Sequence, residues 1–230
     1  MVVGRHRLPS DVASEVTDDL ARTDVRIVVC DLSEMAAFPC TVGQLFAPVA
    51  SYLAAWPGTL VVVCVPDPGQ HAATVPAAIA TRLLLHDSVD AGVREARSLT
   101  QPLEQTETHL PPVPQAAGEA REFANRTLRD WHLQQLSWPA SLVTSELVTN
   151  SLQHSVTVLD LTLGHVRSRV RIAVHDHGGG APAIPNLPEA DRMASMRGRG
   201  LQLVDSFASA WGVFPSRDSG KTVWALLEAA

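Results

Sequence analysis

Lysine is almost missing from this chain. Of the 18 Lys and Arg residues only Lys221 is a lysine, and 24 Asp and Glu residues outnumber them, for a formal net charge of −6. A protein whose main partner is nucleic acid needs the opposite balance, because phosphate contacts draw on an Arg/Lys excess. Cysteine is scarce as well. Cys30, Cys40 and Cys64 are odd in number and show no Cys-x-x-Cys spacing, so they make neither a disulfide framework nor a cysteine-ligated zinc site. They read as small buried hydrophobes in a reducing cytosol. No apolar run approaches the roughly 18 residues that span a bilayer, and the opening MVVGRHRLPSD lacks the apolar stretch of a signal peptide. A cytoplasmic protein with neither nucleic acid nor membrane among its partners is expected.

What is present suits a folded chain. Hydrophobic residues make up 46% and charged residues only 18%, which excludes a disordered acidic tail. A length of 230 residues fits one large domain or two small ones. The stretch TQPLEQTETHLPPVPQAAG carries Pro102, Pro111, Pro112 and Pro114 and few large apolar residues. Proline blocks helix interiors and sheet ladders, so residues 101–118 read as an extended linker between a domain at 1–100 and another at 119–230.

The first half alternates helical and strand signals. Asp11–Ala21, Gln44–Ala55, His71–Ile79 and Val89–Leu99 read as helices, and VRIVVCDL, LVVVCV and RLLLHD as strands. Continuous apolar strands between helices predict an α/β sheet buried by helices. In the second half, Ala120, Phe123, Ala124, Thr127, Leu128 and Trp131 keep the spacing of an amphipathic helix. A second helix is expected from about Ser137 to His154. A hairpin follows, with Leu159, Leu161 and Leu163 on one strand and Val170, Ile172 and Val174 on the other. After a Gly- and Pro-bearing loop, a helix is expected from Gly200 to Trp211, ended by Gly212, and KTVWALLE reads as a last strand. This order predicts an α+β layer sandwich.

Chemistry-bearing residues fall in a few boxes. In SELVTNSLQHS, Glu146, Asn150 and Gln153 share one helix face, opposite Leu147, Val148 and Leu152. A carboxylate and an amide four residues apart suit a general base and a hard cation; a solvated helix face is the alternative. In RVRIAVHDHGGG, strand alternation puts Asp176 on the apolar face of Val170, Ile172 and Val174. A buried carboxylate needs a donor, such as the exocyclic amine of a purine, and Gly178, Gly179 and Gly180 let backbone approach a flat ligand. A Gly-rich turn capped by Asp is the alternative there. His175 and His177 point to one side of the strand, but no third ligand stands near them in the sequence. Gly198 and Gly200 bracket Arg199 before a helix, where backbone N–H groups attract phosphate. The dinucleotide fingerprint fails because Leu203 stands where its third glycine belongs. The P-loop fails because Pro215 precedes Ser219-Gly220-Lys221-Thr222 where a glycine is required. The tryptophans are expected in core packing.

In order and spacing, Glu-x-x-x-Asn on a helix, Asp-x-Gly-x-Gly after a strand, Gly-x-Gly opening a helix and Gly-Lys-Thr opening a final strand resemble the GHKL ATPase superfamily. Within it, SELVTNSLQHS, GRGLQLVDSFASAWG and GKTVWALL look most like the bacterial anti-sigma-factor serine-protein kinases. The resemblance covers residues 115–230 and implies a Bergerat-type α/β sandwich with a short lid between Gly180 and Gly198. It implies ATP and Mg²⁺, with Asn150 as the metal ligand and Glu146 as the base or the group orienting the attacking hydroxyl. Asp176, Gly178, Gly180 and Thr222 would serve adenine, and Gly198, Arg199 and Gly200 the phosphates. Lys221 would touch either ATP or only solvent, and solvent is the favoured expectation. The reaction implied is transfer of the γ-phosphoryl group to a Ser or Thr hydroxyl.

The first half, through VVCDLSEM and LFAPVASYLAAWPGTLVVVCVPDP, more faintly resembles the STAS fold of anti-sigma-factor antagonists. Where that family carries its Asp-Ser-x-Gly phosphoacceptor, this chain has Cys40-Thr41-Val42-Gly43. Thr41 keeps a hydroxyl, but the Asp is gone, which implies a degenerate binding module more than a working acceptor. Together the resemblances imply a serine/threonine-protein kinase acting in partner-switching regulation of transcription. Its partner would be a STAS-domain antagonist, a sigma factor or both, and a homodimer is an allowed assembly. A non-catalytic nucleotide-binding or protein-sequestering module is the competing expectation.

Overall fold

Buried β-branched runs dictate the first sheet. The computed structural model describes residues 2–4, 16–17, 19–20, 25–33, 41–178, 199–216 and 220–229, and the chain divides into two units, Met1–Leu103 and Glu104–Ala230. In the first unit, β1 (Val2–Gly4), β2 (Ile27–Asp31), β3 (Leu60–Cys64) and β4 (Leu83–His86) form a four-stranded sheet in that order. All three pairings are parallel. Every residue of β3 is buried, as expected of a parallel strand covered on both faces. Alternate residues Val29, Val62, Cys64 and Leu84 pack with Val93 and Ala96 of α4 (Val89–Leu99). Ser88 caps that helix by accepting from the Ala91 N–H.

Between β2 and β4 the helices are shorter than the sequence suggests. The expected Gln44–Ala55 helix is three pieces: α1 (Val42–Leu45), a 3₁₀ turn (Ala47–Val49) and α2 (Ala50–Ala55). Pro48 explains the break, since it has no N–H to donate to the preceding turn. The expected His71–Ile79 helix is instead α3 (Pro68–Ala72), followed by turns; Pro76 disfavours helical backbone at the residue before it. Of the Asp11–Ala21 segment, the described residues Val16, Thr17, Asp19 and Leu20 are helical. The edge strand β1 was not evident from the sequence.

The second unit carries a five-stranded antiparallel sheet. Its strands are β5 (Glu104–Leu110), β6 (Leu159–Val166), β7 (Arg169–Asp176), β8 (Ala210–Pro215) and β9 (Lys221–Glu228), in the order β5-β6-β7-β9-β8. Its helices are α5 (Ala116–Asp130), α6 (Ser137–His154) and α7 (Arg199–Phe207). One set of alternating residues, including Leu161, Leu163, Ile172 and Ala225, forms a core with Leu128 of α5, Leu147 of α6 and Val204 of α7. The molecule is therefore mixed α and β, with one parallel and one antiparallel sheet.

Two expectations are corrected here. Residues 101–118 are not an extended linker, because 104–110 pair antiparallel with β6 from Glu104↔His165 to Leu110↔Leu159, and α5 begins at Ala116. The polar side chains of Glu104, Gln105 and Glu107 disguise an edge strand whose Thr106, Thr108 and Leu110 alternate. The last helix stops at Phe207, so Trp211 and Gly212 belong to β8 rather than to a helix end. Gly212 is required for another reason: a Cβ there would stand 2.8 Å from the Trp224 ring.

Candidate functional site

On α6, one helical turn separates two polar residues, Glu146 and Asn150, and the first of them reaches α7. A Cβ on Gly200, in the first turn of α7, would lie 2.1 Å from Glu146 Oε2. Glycine thus lets the first turn of α7 close onto the Glu146 carboxylate. One turn along α6, Asn150 Oδ1 is buried and, among the described residues, has no hydrogen-bond partner. A buried carbonyl oxygen left unpaired costs about 1–3 kcal/mol, and such an oxygen is a neutral hard donor suited to Mg²⁺. Leu147 and Val148, on the other side of the helix, are fully buried in the core and hold this face in place.

Asp176 ends β7 on the helix-facing side of the sheet, in the cross-strand row Leu110, Leu159, Asp176, Lys221. It is 3% exposed, an environment that demands a counter-charge. Lys221 Nζ stands 2.8 Å from Asp176 Oδ2, with the two side chains 14% and 4% exposed. Among the described residues that oxygen nevertheless lacks a hydrogen bond of good geometry. The ammonium offsets the charge of the carboxylate but leaves an oxygen lone pair without a hydrogen bond, so Asp176 can still accept from a further donor. The expectation of Lys221 in solvent is corrected: register turns the lone lysine inward.

The same register moves Thr222 away. Thr222 pairs with His175, its Oγ1 lies 3.0 Å from His175 Nδ1, and both face the side opposite Asp176. Lys221, not Thr222, is therefore the β9 residue beside Asp176. Around the carboxylate the backbone is tight. Gly178 has φ 68, in the left-handed region, and a Cβ on Gly220 would meet the Asp176 carbonyl oxygen at 2.0 Å.

Arg199 is the first residue of α7. Gly180, Gly198 and the expected lid between them lie outside the described residues. In the first unit, Thr41 is exposed and its hydroxyl is committed to a capping box. It accepts from the Gln44 N–H at 3.2 Å, while the Thr41 N–H donates to Gln44 Oε1 at 2.9 Å. Gly43 is fixed by contact, since a Cβ would fall 2.1 Å from the Thr74 carbonyl oxygen. The structure thus brings Glu146 to Gly200, one turn from Asn150, and Asp176 to Gly178, Gly220 and Lys221, and it leaves Thr222 out.

Tryptophan placement is mixed: Trp224 is 2% exposed, but Trp138 is 66% exposed against the expectation of core packing. Cys30 and Cys64 are free and buried, as a reading of small hydrophobes requires. Cys40 lies outside the described residues. Among the described residues no helix is long and apolar enough to cross a membrane. No protein-family model and no curated protein matches the chain.

Proposed function

We infer that the second unit is a nucleotide-binding domain of the GHKL type, close in kind to the anti-sigma-factor serine-protein kinases, and that it transfers phosphate from ATP to a partner hydroxyl. The observation that carries this reading is the buried, unpaired Asn150 oxygen one turn from a carboxylate that reaches the first turn of a neighbouring helix. Asn150 would be the Mg²⁺ ligand. The ion, when bound, would offset charge on the transferred phosphoryl group.

The chain's own residues do the rest. Glu146 orients or deprotonates the acceptor hydroxyl, and Gly200 keeps the start of α7 close to it. The free acceptor position of the Asp176 carboxylate takes the exocyclic amine of adenine. The first unit acts as a degenerate STAS-like partner module, its Thr41 hydroxyl engaged in helix capping. The setting is the cytoplasm, with a STAS-domain antagonist or a sigma factor as partner.

The test is a titration of the full chain with ATP, with and without Mg²⁺, followed by transfer to a separate STAS protein. Mg²⁺-dependent binding that Asn150→Ala weakens at least tenfold, with circular dichroism unchanged, is the expected result. Undiminished binding and transfer in that variant would sink the assignment. A second reading, nucleotide binding without turnover or none at all, is favoured by one observation: Lys221 already sits on the Asp176 carboxylate. Glu146→Ala separates the two. A kinase loses most of its transfer, whereas a sequestering module keeps its partner affinity.

A further inference from the structure

The side of the second sheet opposite its helices carries a cluster that the nucleotide reading does not use. His109 of β5, Asp160 of β6 and His175 of β7 stand in one cross-strand row, and His177 follows two residues after His175. His109 Nδ1 lies 2.7 Å from Asp160 Oδ1, and His177 Nε2 lies 2.6 Å from Asp160 Oδ2. Glu107, two residues before His109 on the same face, places Oε1 3.9 Å from His109 Nδ1. Ligand-capable atoms of Glu107, His109 and Asp160 all lie within 4.8 Å of one another. Two imidazoles from different segments thus converge on the two oxygens of one carboxylate, with a second carboxylate beside them.

We propose that Glu107, His109, Asp160 and His177 form a binding site for a divalent transition-metal ion of the zinc type. The donor set decides the class of ion. Two imidazole nitrogens with carboxylate oxygens suit Zn²⁺, Co²⁺ or Ni²⁺, whereas Mg²⁺ and Ca²⁺ demand oxygen ligands in greater number. Metal–ligand bonds of about 2.0–2.1 Å put the ligand atoms of a tetrahedral site about 3.3 Å apart. The pairs at 2.6 and 2.7 Å open slightly to reach that spacing, the pair at 3.9 Å closes slightly, and His177, which lies outside the group within 4.8 Å, swings in by side-chain rotation. Exposures of 43% for Glu107, 69% for His109 and 50% for His177 leave those side chains free to make the adjustment, while Asp160, at 19%, is the fixed member. His177 directly follows Asp176 and precedes Gly178, so a bound ion would tie the turn at the end of β7 to β5 and β6. The site does not depend on the nucleotide reading.

The test uses the untagged full chain without nucleotide, titrated with Co²⁺ and followed by its visible absorption, then with Zn²⁺ in competition against a chromogenic chelator. The expected result is one ion per chain, with the intense ligand-field bands of four-coordinate Co²⁺ bleached by Zn²⁺ and untouched by millimolar Mg²⁺. His109→Ala, His177→Ala and Asp160→Asn should each weaken Zn²⁺ binding by more than about tenfold, since even outer-shell partners are worth that much. His71→Ala, in the first unit, should leave it unchanged. Binding that survives His109→Ala and His177→Ala at wild-type strength overturns the proposal, as does Co²⁺ absorption showing only the weak bands of the six-coordinate aqueous ion. Thermal unfolding of each variant without metal separates lost binding from lost folding.

Discussion

Removing the one lysine tests how the second unit holds a buried charge. Lys221 and Asp176 are 2.8 Å apart, with side chains 14% and 4% exposed. At an effective dielectric of about 20 their attraction is about 6 kcal/mol, but desolvation of both groups offsets most of it. Truncating one partner is a different matter, because it strands the other in the interior. Lys221→Met keeps the aliphatic stem and deletes only the ammonium, leaving Asp176 3% exposed and without its cation. The expected loss is about 3 kcal/mol, the low end of the range for a broken buried pair, and hence about a hundredfold in the folding equilibrium. Asp176→Asn should cost less, about 1 kcal/mol, because the partly exposed lysine can turn to water while the amide stays neutral. The double variant should cost less than the sum, with a coupling of about 2 kcal/mol. Urea unfolding of the full chain, followed by tryptophan fluorescence, reports mainly on the second unit, which holds Trp131, Trp138, Trp211 and Trp224. Equal and additive single effects, with coupling below about 0.5 kcal/mol, would refute a buried pair.

Other substitutions probe close packing and reactivity. Gly92→Ala should destabilise the first unit by about 1–2 kcal/mol despite the better helix propensity of alanine, because the added Cβ would lie 2.3 Å from Val62 Cγ1; alkylation of the buried Cys64 across a urea series reads the loss. Gly200→Ala should leave stability within about 1 kcal/mol, because its clash is with the movable end of Glu146. The displaced carboxylate should lower any phosphoryl transfer at least tenfold, measured with labelled ATP. Cys64 should resist alkylation at pH 8 in the folded chain and react once unfolded, as judged by peptide mass mapping. Burial, with Asp31 and Asp87 nearby, pushes its thiol up to about 11. Because that folded value lies above the ordinary one, the thiol's contribution to stability is complete below about pH 9 and is lost as the pH rises towards 11.

Particular elements show what could be read ahead. The β-branched runs of β2 and β3 and the alternation in β6, β7 and β9 announce themselves, because burial on one or both faces leaves a period in the sequence. Helix α4 is legible for the same reason, whereas its Ser88 cap is a finding of the structure. Strand β5 escaped because an edge strand of Glu, Gln and Thr need not be apolar, and the prolines after it mask its end. Around Pro48 and Pro76 the helices are shorter than apolar periodicity alone implies, because the prolines stop them. At the site, the spacing of Glu146 and Asn150 on one helix and the inward side of Asp176 were both readable. The nearness of Gly200 to Glu146 was not, since it depends on how α7 packs on α6.

The amino-acid sequence by itself determined which strands are buried, where the proline breaks fall and which side of β7 carries a carboxylate. All of these follow from local periodicity and backbone chemistry. Only the tertiary structure decided that β9 pairs with β7 in the register Asp176↔Lys221. A shift of one residue would have sent the lysine to the opposite face and Thr222 inward, because side chains alternate strictly along a strand. The cluster of Glu107, His109, Asp160 and His177 likewise exists only once β5, some fifty residues earlier in the chain, pairs with the β6–β7 hairpin. Registry between strands is a long-range property, set by the packing of a whole core, and no local window of sequence contains it.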